Sequence, residues 1–596
     1  MEQNVFKGSS DREKKAGRKR FPVSEKIKSR EFLIYVIVAV LSAAAFCAIY
    51  GVRVLNPTYT DWMISGGSIS QVHLDLNNDW RPYAGDLPQH YLGWKAYRAS
   101  AWHFPIGMID NLADPELISV VFTDSIPALA VFFKILSPIL PDSFQYFGLW
   151  GLLCFILQGV LAARIIRKYT DNPAAVIPAS LLFVFAPAML WRMFFHTSLA
   201  GQWILLLAIE PIFDYDKYAQ NPRRLIVLTA VLGLLTAFVH LYLTLMCGMI
   251  LIGICLQDVL KRRTAKRSIV LIGIYILTAA AATALLGGFS SPLAAGRDGL
   301  GWFSFNLNGF TNPQGWSAIL QTKPMYISGQ YEGFAYLGAG CILLVFVSLI
   351  LFFGSGRVKE LWTRHWKTAA ALLSIMIISV AFAASPIAAY GDRLLWSMSL
   401  PQWVWDMWSV FRASGRFAWC AVYILMLCSC VMVCKLLNRR SAGVLLAAVL
   451  AVQIYDIYPA LQKKHQDYGN EVVYETPLAD TAFWDYAGDD PEIRHVVYYS
   501  FPGDAYMYAL TDWAADHGKT VSNFYFARDI DPEILEKNQN AALSALPEDT
   551  LFIFTGEARD DQKYRDYNLF CYDVNGLTVG RSKPIGDFEM TQNESQ

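Results

Sequence analysis

The sequence has no net charge and few of the short patterns that identify a known enzyme or binding module. Its 50 Lys and Arg residues balance its 50 Asp and Glu residues, so the overall charge gives no reason to expect a nucleic-acid partner. Nine of its ten cysteines lie in apolar segments and only Cys571 lies in a polar one, which excludes a disulfide framework outside a membrane. Internal repeats and the H-x-x-x-H spacing of many metal sites are missing, as is a Gly-rich phosphate-binding fingerprint in the polar C-terminal part.

What the sequence has in excess is apolar residues. Of its 596 residues, 54% are hydrophobic, and the mean hydropathy of +0.31 is too high for a soluble protein of this size. Runs of about 17–25 apolar residues recur along the chain, and each is long enough to cross a bilayer core of roughly 30 Å as a helix. The sequence therefore predicts a polytopic α-helical membrane protein.

The basic residues predict how these segments cross the membrane. Lys and Arg cluster in the tail 1–30 and in several later loops, and the positive-inside rule places such clusters in the cytoplasm. The basic part before the apolar run 32–52 is too long for a cleaved signal peptide, so this run predicts a first transmembrane helix. The basic loops lie near 164–168, 217–224, 261–267, 357–367 and 435–440. Alternation predicts about eleven transmembrane helices, near 32–52, 143–163, 174–191, 198–213, 225–240, 242–260, 268–288, 335–353, 368–388, 416–436 and 441–459.

Two regions lie outside this pattern. The run 118–140 is apolar, but counting it as a span would invert every later loop. We therefore expect a re-entrant or interfacial helix pair there, inside one large external loop, 53–142. The polar C-terminal part alternates short strand-like and helical stretches, which predicts a small extracytoplasmic α/β domain over 460–596. The predicted domains are thus a basic cytoplasmic tail (1–30), a transmembrane domain (31–459) and this C-terminal domain.

Side chains suited to chemistry fall at the ends of the apolar segments away from the basic loops. The external loop contains Asp61 and the stretch 85–94, GDLPQHYLGW, in which Asp86 and His90 share a face if the stretch is helical. A carboxylate surrounded by Trp and Tyr suits a general base. Both aspartates also suit the N-cap of a helix, and the two roles are compatible.

Other residues at the same ends are candidates for substrate binding. His196 and His240 close predicted helices, Glu332 lies in a later loop rich in aromatic and amide side chains, and Trp94 and Arg98 belong to the first external loop. An ionisable residue at such a place is a functional candidate, although a lone interfacial histidine is more often a structural hydrogen-bonder. Metal binding by these histidines and the loop carboxylate is an alternative without a supporting ligand spacing. No metal ligand is predicted, and a divalent cofactor stays open.

Two arginines precede the tenth predicted span in the stretch 411–419, FRASGRFAW. Arg412 and Arg416 are four residues apart and share a face if the helix begins there. Guanidiniums beside the free N–H groups of a helix N-terminus suit a phosphate. The alternative is that both arginines are interfacial anchors.

These pieces together resemble the GT-C class of membrane glycosyltransferases, and more closely an uncharacterised bacterial multi-pass family placed beside that class. The resemblance covers most of 50–460 and rests on the stretches GDLPQHYLGW (85–94), WHFP (102–105), FTDSIP (122–127), EGFAYLG (332–338) and FRASGRFAW (411–419). It implies a GT-C-like fold in a bacterial plasma membrane and an acidic catalytic residue in the first external loop. Asp86 matches that residue best, but the extra stretch near 66–85 leaves Asp61 as an alternative.

The resemblance further implies a polyprenyl-phosphate sugar donor and an envelope glycan, lipid or protein as acceptor. The resulting hypothesis is an inverting transfer in which Asp86 or Asp61 is the base, Arg412 and Arg416 hold the leaving phosphate, and His90 assists. Two rival hypotheses are a lipid-linked glycan flippase or exporter and a non-catalytic envelope scaffold. An exporter needs polar residues along a path across the bilayer, whereas the middle of each predicted span is nearly all apolar.

Overall fold

The structure of the protein is a computed structural model that describes residues 25–65, 86–263, 265–290, 292–293, 299–499, 505–528, 530–560 and 563–590. Most of the predicted basic tail therefore lies outside the described residues, as does the stretch 66–85, which includes Gly85 of the external-loop motif. The described part is mainly helical.

In the described residues before 469, the chain forms seventeen α-helices and two short β-hairpins. The hairpins are β1 (Met108–Ala113) with β2 (Glu116–Ser119), and β3 (Ile387–Tyr390) with β4 (Arg393–Ser397). The helices are α1 (Glu25–Tyr50), α2 (Asp61–Ile64), α3 (Asp86–Ala99), α4 (Pro127–Leu136), α5 (Phe147–Ile166), α6 (Pro173–Val184), α7 (Pro187–Arg192), α8 (Trp203–Phe213), α9 (Tyr215–Gln220), α10 (Pro222–Val239), α11 (Leu241–Arg262), α12 (Lys266–Leu285), α13 (Ala339–Gly354), α14 (Val358–Ala384), α15 (Gln402–Ser409), α16 (Trp419–Leu436) and α17 (Arg439–Tyr468).

The protein is a multi-span membrane protein. Within the described residues, nine helical segments are long and apolar enough to cross a membrane, and each coincides with a predicted span. The two other predicted spans coincide with shorter apolar segments, Thr197–Phe213 and Ala339–Gly354. The count of eleven therefore stays a prediction. The segments Pro173–Arg192 and Ser414–Leu436 are the most buried of the nine and lie at the centre of the bundle.

The apolar run 118–140 does not cross the bundle as one helix. It forms the end of β2, a 3₁₀ turn (Val120–Thr123), the ten-residue α4 and a second 3₁₀ turn (Ser137–Ile139). Left-handed backbone at Asp124 (φ 55°) and Ile126 (φ 52°) interrupts the run before α4 begins. One short helix thus stands where the sequence predicts a helix pair.

The two ends of the helix bundle differ in charge. At one end, which we call the basic end, Arg167 pairs with Glu31 at 2.9 Å and Lys168 pairs with Glu210 at 3.0 Å. Arg262, from another of the predicted basic loops, bonds the Ala219 carbonyl at 2.7 Å, so these loops meet at one end of the molecule. The positive-inside rule assigns this end to the cytoplasm, and that orientation stays a prediction.

The C-terminal part forms one mixed sheet with helices around it. Among the described residues the strand order is β6-β5-β7-β9-β8; β5 pairs in parallel with β6 and β7, and β9 pairs antiparallel with β7 and β8. Strands and helices alternate along this part, as the sequence predicts, whereas the domain limits stay predictions. The strands are β5 (His495–Tyr499), β6 (Thr520–Val521), β7 (Thr550–Phe554), β8 (Phe570–Val574) and β9 (Leu577–Arg581), and the helices are α18 (Thr481–Asp489), α19 (Ala505–Asp516), α20 (Pro532–Ala545) and α21 (Gly556–Asp560).

This C-terminal sheet packs against the end of the bundle opposite the basic end. Lys95 in α3 pairs with Asp512 in α19 at 2.6 Å. His495 Nδ1 lies 2.6 Å from Asp114 Oδ2, between β5 and the β1–β2 hairpin. The first external loop and the C-terminal part thus cover the same end of the bundle.

Candidate active site

Eight ionisable side chains meet at the covered end of the bundle. They come from six segments that are far apart in the sequence. Contacts of 2.7–3.6 Å join them into smaller groups, and the charges of neighbouring groups act on one another. We call them the polar cluster: Asp86 and His90 in α3, Asp124 before α4, Arg192 at the end of α7, His196, His240 between α10 and α11, Glu332, and Arg416 before α16.

Local structure explains why α3 points its polar residues at this place. The helix begins at Asp86, so the carboxylate lies in the first turn, where the helix dipole favours a negative charge. His90 follows one turn later on the same face. Gly93 lets α3 approach the next turn of the loop, because a Cβ on this residue would lie 2.3 Å from the Thr123 Cβ.

Asp86 and His196 form the central pair. Asp86 Oδ2 lies 3.0 Å from His196 Nε2, and Arg192 Nη1 donates to His196 Nδ1 at 2.9 Å. Arg416 Nη2 also lies 3.0 Å from Nε2, so an arginine faces each ring nitrogen and the arginines alone do not fix the tautomer. A proton on Nε2 is the arrangement that gives the Asp86 carboxylate a donor. Burial lowers the pKa of His196, and the nearby Arg416 guanidinium lowers it further, which keeps the ring neutral.

The carboxylate of this pair is ionised at neutral pH. Burial acts to raise the pKa of Asp86, but His196 and His90 outweigh that effect, so the pKa lies below its ordinary value. A carboxylate in this state can accept a proton.

Asp124 is the buried carboxylate behind this pair. Its backbone is left-handed, with φ 55°, and this turns its side chain toward Ser198, which donates to Oδ1. His90 Nε2 lies 3.3 Å from Oδ2, and His240 Nε2 lies 3.6 Å from Oδ1. Burial acts to raise the pKa of Asp124, but the histidines outweigh it and hold the pKa well below its ordinary range.

His240 is positioned by the break between two helices. Its Nδ1 accepts from the Tyr242 backbone N–H at 3.1 Å and so caps α11, which leaves the Nε2 proton directed toward Asp124. Burial lowers the pKa of His240 to about 4, and Arg416 contributes in the same direction. The ring is therefore neutral at physiological pH.

Glu332 joins the two buried arginines of the cluster. Arg192 Nη2 donates to Glu332 Oε2 at 2.7 Å and to the Glu332 carbonyl at 2.7 Å, and Arg416 Nε donates to Oε2 at 2.8 Å. Burial acts to raise the pKa of Glu332, but the two guanidiniums hold it well below its ordinary value. One carboxylate thus joins two buried guanidiniums, which suits a residue that stabilises the site, and its role in substrate binding stays a prediction.

The exposed fraction of each side chain distinguishes the cluster residues that a substrate can contact from those that hold them in place. The side chains of Asp86, His196 and His240 are 22%, 15% and 18% exposed, whereas the His90 side chain is fully buried. A partly exposed carboxylate that accepts from a neutral imidazole is suited to take a proton from a bound hydroxyl. The buried members fix the geometry of that pair.

The predicted arginine pair is separated in the structure. A 3₁₀ turn spans Ser414–Ala418, and the α-helix begins only at Trp419, so the four-residue spacing does not align Arg412 with Arg416. Arg416 turns inward to Glu332. Arg412 donates to the Ala527 carbonyl at 3.4 Å and lies 5.9 Å from the Phe303 ring centroid, at the contact with the C-terminal part.

Three other candidates have contacts outside the polar cluster. Trp94 is buried and donates to the Phe144 carbonyl at 2.9 Å, which is a core role. Arg98 donates to four carbonyls of the segment 137–142 at 2.8–3.4 Å, so its guanidinium is occupied by backbone. Asp61 Oδ2 accepts from the Tyr474 backbone N–H at 3.2 Å. Trp94 and Arg98 thus contact backbone carbonyls outside the polar cluster, and their role in substrate binding stays a prediction.

Sequence reasoning did not single out Asp124 as a site residue and gave Arg192 no role of its own. Asp124 lies in an apolar run, and its sequence signals are a carboxylate between Thr123 and Ser125 and its place in the stretch FTDSIP (122–127). Arg192 meets Glu332, which lies 140 residues away, so only the folded chain reveals the pair. Among the described residues, no group of three or more His, Cys, Asp or Glu side chains is arranged to hold a metal ion.

Comparison with known proteins places the chain in a family. A structural alignment with ArnT from Cupriavidus metallidurans, in a crystal structure with bound undecaprenyl phosphate, covers 92% of this chain and 97% of that one, at 10% identity and a TM-score of 0.37. None of the curated proteins matches the chain. The model of a domain of unknown function, DUF6311, matches residues 39–458, and the model of the DUF6311 C-terminal domain matches residues 483–582. The chain therefore belongs to the DUF6311 family.

Proposed function

We propose that the protein is a GT-C-type inverting glycosyltransferase that moves a sugar from a polyprenyl-phosphate donor to a cell-envelope acceptor. Its main support is the partly exposed Asp86 carboxylate, held by neutral His196 at one end of a membrane helix bundle. Such a site lies where the phosphate of a lipid-linked donor meets water while its chain stays among the helices. The cluster then faces the outside of a bacterial plasma membrane, with the N-terminus in the cytoplasm.

Asp86 is the base of the proposed reaction. It takes the proton of an acceptor hydroxyl as that oxygen attacks the anomeric carbon of the donor sugar. The bond from that carbon to the phosphate oxygen breaks on the opposite face, so the configuration inverts and polyprenyl phosphate leaves with the electron pair. His196 occupies Oδ2 of Asp86 through its Nε2 proton, which leaves Oδ1 for the acceptor.

Arg412 is the arginine that we assign to the leaving phosphate. Its contacts among the described residues are a carbonyl and an aromatic ring, so no carboxylate there neutralises its charge. Arg416 is paired with Glu332, and its Nη2 lies 3.0 Å from His196 Nε2, so it supports the base pair and adds positive charge to the site. A guanidinium placed where negative charge develops stabilises the transition state.

The test is a transfer assay on the full-length protein in lipid with a panel of radiolabelled polyprenyl-phosphate sugars. We expect one donor to be consumed, and Asp86→Asn to lower the rate by roughly 10²–10⁴-fold, as for loss of a general base. Asp61→Asn decides between the two candidate bases. Asp110→Asn is the matched control, because Asp110 forms a similar pair with His103 at 2.7 Å in the same external loop but outside the polar cluster.

The outcomes distinguish the candidate functions. Loss of turnover in Asp86→Asn and Arg412→Ala, with full activity in Asp110→Asn, supports the transferase. Full activity of Asp86→Asn together with loss in Asp61→Asn would move the base to Asp61. Binding of lipid-linked sugars without turnover of any donor would favour a flippase or another carrier-handling protein, and neither binding nor turnover would favour a scaffold.

A further inference from the structure

A cavity of about 550 Å³ opens at the basic end, on the opposite side of the bundle from the polar cluster. It lies between α14 and α16, where the chain turns from α8 into α9. One part of its wall is charged and the other part is apolar. Its volume is within the range of sites that bind small molecules.

Two lysines occupy the charged part. The Lys261 Nζ lies 3.8 Å from the Tyr215 ring centroid, and the Lys435 Nζ lies 5.2 Å from that of Tyr169. Within the described part of the chain, neither lysine has a carboxylate oxygen in ion-pair range. Asp214 lies on the same wall but pairs with Lys168 at 3.0 Å. The aromatic rings therefore hold two ammonium groups at the cavity without neutralising them.

Asp214 and Asp216 also line the cavity, but Asp214 is paired with Lys168, so the cations at and around the cavity outnumber the one carboxylate left over. Arg364, together with both lysines of the wall, acts electrostatically on His365, which lines the cavity. The Asp216 carboxylate of the cavity wall attracts Lys261 more strongly than Lys367 repels it, so Lys261 lies between a carboxylate and a further cation. Like charges held together are costly unless an anion joins them.

The apolar part of the wall lies deeper among the helices. Leu372 and Met376 of α14 face the cavity on one side, and Leu425 and Met432 of α16 face it on the other. Leucine and methionine side chains suit a flexible hydrocarbon chain. Cationic and apolar walls in one cavity match a molecule with an anionic head and an acyl tail.

We infer that this cavity binds an anionic glycerophospholipid of the membrane leaflet at the basic end. Its phosphodiester lies between Lys261 and Lys435, and one acyl chain lies between α14 and α16. Basic pockets between transmembrane helices commonly take lipid head groups in this way. The site is independent of the proposed transfer reaction, because it lies at the other end of the bundle.

The test is lipid retention and thermal stabilisation of the full-length protein in an uncharged detergent. Native mass spectrometry counts retained lipid, and thermal-shift titrations compare phosphatidylglycerol, phosphatidylcholine and inorganic phosphate. We expect phosphatidylglycerol alone to be retained and to raise the unfolding temperature. The double variant Lys261→Gln/Lys435→Gln should weaken its apparent affinity by roughly 25-fold, about fivefold for each lysine.

The matched control is Lys359→Gln/Arg440→Gln, which removes two exposed cations from the same end without touching the cavity wall. It should change the affinity less than twofold, and both double variants should unfold at the normal temperature without lipid. Equal retention of phosphatidylglycerol and phosphatidylcholine would overturn the inference. So would an unchanged affinity in the lysine variant, or full competition by inorganic phosphate.

Discussion

His196 Nε2 lies 3.0 Å from Asp86 Oδ2, and the other nitrogen of the same ring accepts from Arg192 at 2.9 Å. Arg416 Nη2 lies 3.0 Å from the same Nε2, so two arginines hold this ring in place, and the histidine in turn orients the carboxylate. The partly exposed carboxylate at the membrane surface thus has one defined donor and is ionised at neutral pH. The following predictions depend on this pair and on the residues that hold it.

Replacing His196 by phenylalanine should shift the pH dependence of transfer. His196 helps to hold the pKa of Asp86 below its ordinary value, so its loss raises that pKa and protonates the base at higher pH. The acidic limb of the kcat/KM profile should therefore move to higher pH. The rate at neutral pH should fall by less than the roughly 10²–10⁴-fold expected for loss of the base itself.

The His196→Gln variant is the control for this shift, because its side-chain amide keeps an N–H donor for Asp86. It should recover part of the rate and part of the wild-type profile. An acidic limb that stays in place in His196→Phe would show that Asp86 is not the titrating base.

Replacing Glu332 by glutamine should strongly destabilise the fold. The change leaves two buried guanidiniums, Arg192 and Arg416, without their shared carboxylate, and breaking a buried pair in this way costs about 3–5 kcal/mol. Thermal unfolding in one detergent measures the effect. Glu360→Gln is the matched control, because its 3.0 Å pair with Arg357 is more than half exposed and should contribute little.

The pH dependence of the stability provides a second test of the structural role of Glu332. Its pKa in the folded protein is well below the ordinary value, so its contribution to stability is complete above about pH 4.3 and is lost as the pH falls further. Equal unfolding temperatures for Glu332→Gln and Glu360→Gln would contradict the structural role.

The apolar runs of the sequence were enough to predict the membrane class and the positions of the long helices. Nine predicted spans coincide with long apolar helices because burial in a bilayer demands such segments wherever they occur. The placement of Asp86, His196 and His240 also followed from sequence, since charge alternation puts the ends of their segments on one side.

Pairing within the site depends on tertiary structure and local backbone. The helix start at Trp419 separates Arg412 from Arg416, and a four-residue spacing alone does not reveal where a helix begins. Asp124 reaches the histidines only because its backbone is left-handed in an otherwise apolar run. An ionisable residue inside an apolar run is therefore a candidate site residue, even where no other polar residue near it in the sequence points to a site.

Acidification should destabilise the protein before its carboxylates titrate. His240 has a pKa of about 4 in the folded protein and about 6.5 when unfolded. As the pH falls from about 6.5 toward 4, the unfolded chain binds a proton that the folded chain does not, which costs up to about 3 kcal/mol. The unfolding temperature should fall over this range.

The His240→Asn variant should flatten that slope, because asparagine keeps the helix cap but does not titrate. His196 retains its own share, since its pKa is also lowered. The same slope in His240→Asn and in wild type would show that this ring does not titrate on unfolding.

Replacing Arg98 should lower the stability of the protein, whereas replacing Arg412 should impair its activity, although the sequence assigns both residues to substrate binding. Arg98→Ala removes the donor of four carbonyls in the segment 137–142, so it should lower the free energy of unfolding by about 1–3 kcal/mol with an unchanged KM for the donor. Arg412→Ala removes a cation with only carbonyl and aromatic contacts among the described residues. It should raise the KM for the donor or lower kcat, and leave the unfolding temperature unchanged. Loss of donor affinity in Arg98→Ala at normal stability would instead return Arg98 to the substrate site, because a clamp on backbone carbonyls has no direct effect on a bound phosphate.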